Sequence, residues 1–127
     1  MTIVDLIKDL EEAKGPSREL DAALAILLGY KRKVEQVRDP ASGEQTRRSF
    51  WIHPGGQDPG RVPQFTALLD DAHLLAETVS PEVALGVSWD ESGGHAKVGN
   101  GPYCSAATPA IALCVATLKA RFPKDIE

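Results

Sequence analysis

The chain is poor in cysteine, in aromatic residues and in long apolar runs. Two cysteines in 127 residues, Cys104 and Cys114, are too few to build a disulfide framework. Their default setting is a reducing, cytoplasmic one. The longest apolar run, Ala22 to Leu28, falls far short of the roughly 20 residues that cross a bilayer. An acidic start (Asp5, Asp9, Glu11, Glu12) does not read as a signal peptide, and no membrane partner is expected. Aromatic residues make up 6% of the chain, with Trp51 and Trp89 its only tryptophans, so the rigid anchors that concentrate binding energy are scarce. Basic residues are outnumbered, 14 to 18, which leaves a net charge of −4 and argues against general nucleic-acid binding. No lysine or arginine at all occurs between Val62 and Ala96.

What is present has an ordinary globular balance, 43% hydrophobic and 25% charged, and suits one domain over 1–127. Thr2 and Asp5 open a helix with Ile3, Leu6, Ile7 and Leu10 on one face, ended by Gly15-Pro16. Ser17 caps a second helix that stops at Gly29, and its nearly all-round apolar stretch predicts deep burial. Tyr30–Arg38 and Arg47–His53 read as two strands of a hairpin, turned at Asp39-Pro40-Ala41-Ser42-Gly43 and followed by a loop from Pro54 to Gly60. Thr66 is expected to cap a third helix carrying Leu68, Leu69, Ala72, Leu75, Ala76 and Val79. Val83, Leu85, Val87 and Trp89 alternate as a strand, Glu91 to Gly94 turns, and His95–Gly99 pairs back. Thr108-Pro109 then starts a last helix whose Ile111, Cys114, Val115, Leu118 and Phe122 make one apolar face. The order ααββαββα, with short hairpins, predicts an α+β fold: a mainly antiparallel sheet with packed helices.

Four segments, taken in order, resemble a known family. Glu11 to Ala22 (EEAKGPSRELDA) is similar to the opening of small phage and prophage proteins carrying the phage ABA sandwich domain. Pro63 to Ala72 (PQFTALLDDA), Val87-Ser88-Trp89 and Thr108 to Cys114 (TPAIALC) resemble its later elements. The resemblance spans about Leu6 to Phe122 and implies an α/β/α-type sandwich of phage or prophage origin, hence a bacterial host cell. It implies no catalytic residues and no cofactor.

Several constellations have the chemistry of a site. His53 and His95, with Cys104 or Asp90, offer metal ligands without a zinc-type spacing. Asp70 and His73 stand three apart on the third helix, as a carboxylate orienting an imidazole would. Cys104, placed in the loop before the last helix, could pair with a histidine as a nucleophile. Gly99-Asn100-Gly101-Pro102 resembles an anion cradle but lacks the Lys-Ser/Thr ending of a phosphate loop. The charge pattern says most. Lys31, Arg32, Lys33, Arg38, Arg47 and Arg48 crowd the first hairpin, against Asp70, Asp71, Glu77, Glu82, Asp90 and Glu91 in the stretch without cations.

These features read as a non-catalytic accessory protein, a binding module for a small anionic ligand or a protein partner. The binding residues assigned are Arg47, Arg48, Trp51 and His53; no catalytic residue, metal or cofactor is assigned. Two alternatives stand beside this reading. One is a small hydrolase using His53 or His95 with Asp90 or Cys104. The other is a structural component of a homo-oligomer, basic region on acidic region.

Overall fold

The computed structural model describes residues 2–125. Its elements follow the expected α+β order: α1 (Ile3–Glu12), α2 (Arg18–Leu27), β1 (Lys31–Arg38), β2 (Gln45–Ile52), a two-residue β3 (Pro59–Gly60), α3 (Leu69–Val79), β4 (Leu85–Asp90), β5 (Gly93–Val98), β6 (Cys104–Ala106) and α4 (Pro109–Arg121). The strands divide into two antiparallel sheets, β1-β2-β3 and β4-β5-β6. The two short strands β3 and β6 lie where the sequence reads as loop.

The core is built around α4. Thr108 accepts a hydrogen bond from the Ile111 N–H, and Pro109 occupies the first turn, where an N–H has no helical partner. From Ala110 to Leu118 every residue is buried. Helix α4 is therefore enclosed on all sides, and not along one apolar face as its spacing implies. The sheet β4-β5-β6 covers one side, and α1 and α3 pack on the others. The layers run sheet, α4, then α1 with α3, so helices cover one face of this sheet. Leu85, Val87, Ala96, Val98, Cys104 and Ala106 share that face by register, while Ser88, Asp90, His95, Lys97 and Ser105 share the other.

Helix α2 departs from expectation in the opposite direction. It buries Leu20, Asp21, Leu24 and Ala25, while Ile26 is 61% exposed. A run of apolar residues too short to mark a single face gave no guide to which side of the helix meets the core.

Thr66 does not cap α3. That helix starts after Leu68, with no side-chain cap, and Thr66 is fully buried three residues upstream. Its hydroxyl accepts from the Ser17 N–H at 2.9 Å and donates to Asp21 Oδ1 at 2.8 Å, with the Ser17 carbonyl at 3.2 Å. The Thr66 N–H also donates to Asp21 Oδ1, at 2.8 Å. Asp21 is 1% exposed, and its second oxygen receives Arg18 Nη1 at 2.9 Å. Arg18 in turn donates to the Val62 and Pro63 carbonyls. A buried carboxylate is tolerated only when its lone pairs are filled by such donors. The result is a polar clamp that joins the start of α2 to residues 62–66.

Between the two halves of this clamp, the hairpin leaves the body as an arm. All eight residues of β1 are exposed, and β2 becomes buried only at its end, at Ile52.

Two changes test these joints. Asp21→Ala removes the acceptor of two buried Thr66 donors and is expected to cost about 3 kcal/mol in thermal or denaturant unfolding. Asp21→Asn keeps an acceptor oxygen and is expected to cost less. At Gly94 a Cβ would overlap the Thr108–Pro109 backbone where β5 meets α4, so Gly94→Ala is expected to destabilise by about 1–3 kcal/mol.

Candidate functional site

The arm is an antiparallel ribbon whose register follows from the turn. Gly43 supplies the positive φ (74°), the Asp39 N–H donates to the Glu44 carbonyl and the Gly43 N–H to the Asp39 carbonyl, each at 2.8 Å, and Arg38 comes to face Gln45. The Asp39 carboxylate accepts from the Ala41 N–H and the Ser42 hydroxyl, which holds it below the usual carboxylate range. Facing residues share a side of the ribbon, and neighbours along a strand alternate. One side therefore carries Arg32, Val34, Gln36 and Arg38 with Trp51, Ser49, Arg47 and Gln45. The other carries Lys31, Lys33, Glu35 and Val37 with Ile52, Phe50, Arg48 and Thr46.

The four residues assigned from sequence are thus not one cluster. Arg47 and Trp51 lie on one side of the ribbon and Arg48 on the other. Trp51 is half-buried and packs on the main core, at the root of the arm. His53 lies just beyond the strand, 5.6 Å from the Tyr30 ring between centroids and directly over Gly60. A side chain at position 60 would displace that imidazole. Trp51 and His53 therefore secure the root, while Arg47 and Arg48 stand further out.

The two sides differ in charge. On the Arg48 side the guanidinium sits 6.0 Å over the Phe50 ring, and Lys33 pairs with Glu35 at 3.8 Å. A shallow groove there is lined by Lys33, Glu35, Arg48, Phe50, Gln57 and Pro59. On the Arg47 side the strand residues include Arg32, Arg38 and Arg47 and no carboxylate. A second groove is lined by Arg32, Val34, Arg47 and Ser49, with Arg32 Nη2 3.5 Å from Ser49 Oγ. Arg32 and Arg38 are the members of this face that sequence reasoning left out of the site. Strand parity pairs them with Arg47 once the turn fixes the register.

The remaining candidates are dispersed. His53 belongs to the arm and His95 to the other sheet. Cys104 is a strand residue 5% exposed, not a loop thiol. It lies on the α4 face while His95 lies on the opposite face, so the sheet separates them. Burial pushes both the Cys104 and Cys114 thiols up, away from the thiolate that a nucleophile needs. His73 meets Glu77 at 3.4 Å, and Asp71 accepts from the Gln64 N–H at 2.7 Å; Asp70 stays on the solvated helix surface. Gly99 to Pro102 packs near Lys119 and Ala120, at the C-terminal end of α4, where carbonyls rather than free amides point outward. Among the described residues no group of three or more His, Cys, Asp or Glu could hold a metal ion, and no helix is long and apolar enough to cross a membrane.

One pairing from the hydrolase alternative is present. His95 Nε2 lies 3.1 Å from Asp90 Oδ2, and Nδ1 lies 2.8 Å from Ser105 Oγ, a partner with no signal in the sequence. The Tyr103 ring stacks on the imidazole at 5.9 Å. Asp90 also accepts from the Ser92 hydroxyl at 2.6 Å and from its N–H at 2.8 Å. Acyl transfer further requires preorganised donors around the reacting oxygen. Ser105 belongs to a strand paired with β5, and its side chain stands on the open outer face of the sheet. The cluster ties three strands together at that face.

Ser92, then His95, hold the Asp90 carboxyl down at about 2, below its ordinary 3.8. Because the folded value is the lower one, this contribution to stability is complete above the ordinary value and is lost as pH falls through about 2. Ser92→Ala is expected to move the Asp90 titration, followed by carboxyl NMR, up towards 3.8. The difference in melting temperature between variant and parent is expected to be full at neutral pH and to shrink as the acid limit is approached.

Compared with family models, curated proteins and solved structures, the chain matches none of them.

Proposed function

We propose that this chain is a non-catalytic binding module whose β-arm engages an acidic protein surface through the side carrying Arg32, Arg38 and Arg47. The observation that carries the reading is that every charged strand residue on that side is an arginine, on a ribbon exposed along its whole first strand. Arg47 makes no ion pair among the described residues, so its guanidinium is available to a carboxylate fork. The grooves of the arm are open, without the enclosing walls that small-ligand sites use, and this favours an extended partner over a small anion. A small anionic ligand is the second reading, favoured by the Arg32–Arg47 groove itself.

An accessory protein of phage or prophage type, working in the cytoplasm of a bacterial host, is part of the same proposal. Its support is the four segments that resemble the phage ABA sandwich family. Two of them supply the polar clamp, and one supplies the start of α4. They account for the scaffold and leave the arm as the part available for binding.

Poly-glutamate is the test probe for an acidic surface, with inorganic phosphate and nucleotides as small anions. Binding is followed by calorimetry and thermal shift at low salt, where surface charges act most strongly. Arg32→Glu and Arg47→Glu are each expected to weaken poly-glutamate binding about tenfold. Lys8→Glu, on the body, is expected to change it little. A parent protein that binds neither the polymer nor any small anion contradicts the proposal. Binding that ignores both arginine reversals contradicts the assigned face.

A further inference from the structure

We infer that the free edge of β1 pairs with the β1 edge of a second copy of this chain, two-fold and antiparallel, with Val34 facing Val34. Strand β1 is bonded to β2 along one edge, and its other edge has no partner among the described residues. Eight exposed residues in regular strand geometry, including Val34 at 49% and Val37 at 40% exposure, form a template for strand addition. A ribbon of two long strands is only marginally stable in water, and a third or fourth strand is what makes such a sheet durable.

Symmetry and charge select the register. In a closed two-fold antiparallel pair, facing residues share a side of the sheet, so the axis passes where one residue faces its own copy. Centring on Lys33 sets lysine on lysine. Centring on Glu35 sets glutamate on glutamate and Arg32 on Arg38. Like charges directly opposite are destabilising. Centring on Gln36 opposes no like charges but overlaps only residues 34–38 of β1 and forms no ion pair there. Centring on Val34 instead overlaps residues 31–37 and brings Lys33 against Glu35 twice, Arg32 against Gln36 and Lys31 against Val37, with no like charges opposed. Lys33 and Glu35 already lie 3.8 Å apart within one strand. The second copy turns that pair into an alternating square of four charges. The lysines that would keep a foreign strand off this edge are matched by this one.

The consequence reaches the proposed site. With the axis perpendicular to the sheet, Arg32, Arg38 and Arg47 of both copies emerge on the same side, so the basic face doubles. That use of the face rests on the function proposed above; the pairing itself does not.

Sedimentation equilibrium on the full chain is the test, with thermal melts to verify that each variant folds. A dimer with a micromolar dissociation constant is expected. Lys33→Glu and Glu35→Lys are each expected to weaken it about tenfold or more, and the double swap to restore it to within about threefold. In a separate variant, Val34→Cys is expected to form an intermolecular disulfide on mild oxidation. Facing Cα atoms in an antiparallel pair lie about 4.5–5.5 Å apart, within disulfide reach, and Cys104 and Cys114 are buried. A parent chain monomeric up to about 1 mM overturns the inference. So do single reversals that leave the mass unchanged, a double swap that fails to restore it, or Val34→Cys that does not cross-link. A monomer that still binds poly-glutamate overturns only this inference; a dimer indifferent to every anion overturns only the function proposed for the arm.

Discussion

The buried carboxylate of Asp21 is the interaction on which the arrangement of this molecule depends. It stands 1% exposed at the start of α2 and takes two hydrogen bonds from Thr66, 45 residues later, and an ion pair from Arg18. Each partner constrains the others. Ser17 caps α2 through its side chain and offers its backbone N–H to the Thr66 hydroxyl, while Arg18 reaches across to the Val62 and Pro63 carbonyls. Buried groups of this kind must be satisfied together, because a half-filled network leaves an unpaired polar atom in a medium of low dielectric. The chain therefore leaves the body after α2 and returns to the same place before α3. Whatever lies between is free to project.

That freedom separates two tasks. The body closes around α4, with the sheet on one side and helices on the others, and it carries most of the acidic residues. The segment from Tyr30 to Arg61 holds seven of the cations and four carboxylates. It reaches the core at its root, through Tyr30, Trp51 and Ile52. A ribbon held at one end and charged along its length has the form expected of an interaction element, and its exposed β1 edge gives it a second way of meeting a partner.

Much of this was legible in the sequence where local chemistry decides the outcome. The capping residues Thr2, Ser17 and Thr108 stand where expected, the Asp39–Gly43 turn forms, and the apolar alternation from Leu85 places the inner face of the second sheet. Thr66 was not legible, because the residue types that cap helices are also those that fill buried hydrogen-bond networks, and only a partner distant in sequence tells them apart. The relative burial of α2 and α4 was not legible either. Small residues such as Ala112 and Ala116 are consistent with any environment until a neighbour presses on them. Cys104 looks like a loop thiol in the sequence because a strand of three residues shows no periodicity. In the candidate site, the excess of arginine and lysine was plain, but its division between two faces depends on register. Register depends on the backbone of the turn as well as on its composition. The same limit hid Ser105, which meets His95 only through the pairing of β5 with β6.

The central claim is that the clamp, and not the arm, closes the body. The most direct measurement replaces residues 33–50 with an Asn-Gly turn and follows unfolding of the shortened chain together with hydrogen exchange in α4. The account predicts a cooperative transition within a few degrees of the parent and α4 amides as protected as before. A broad or strongly lowered transition, with α4 exchanging freely, would show that the arm belongs to the core and would contradict it.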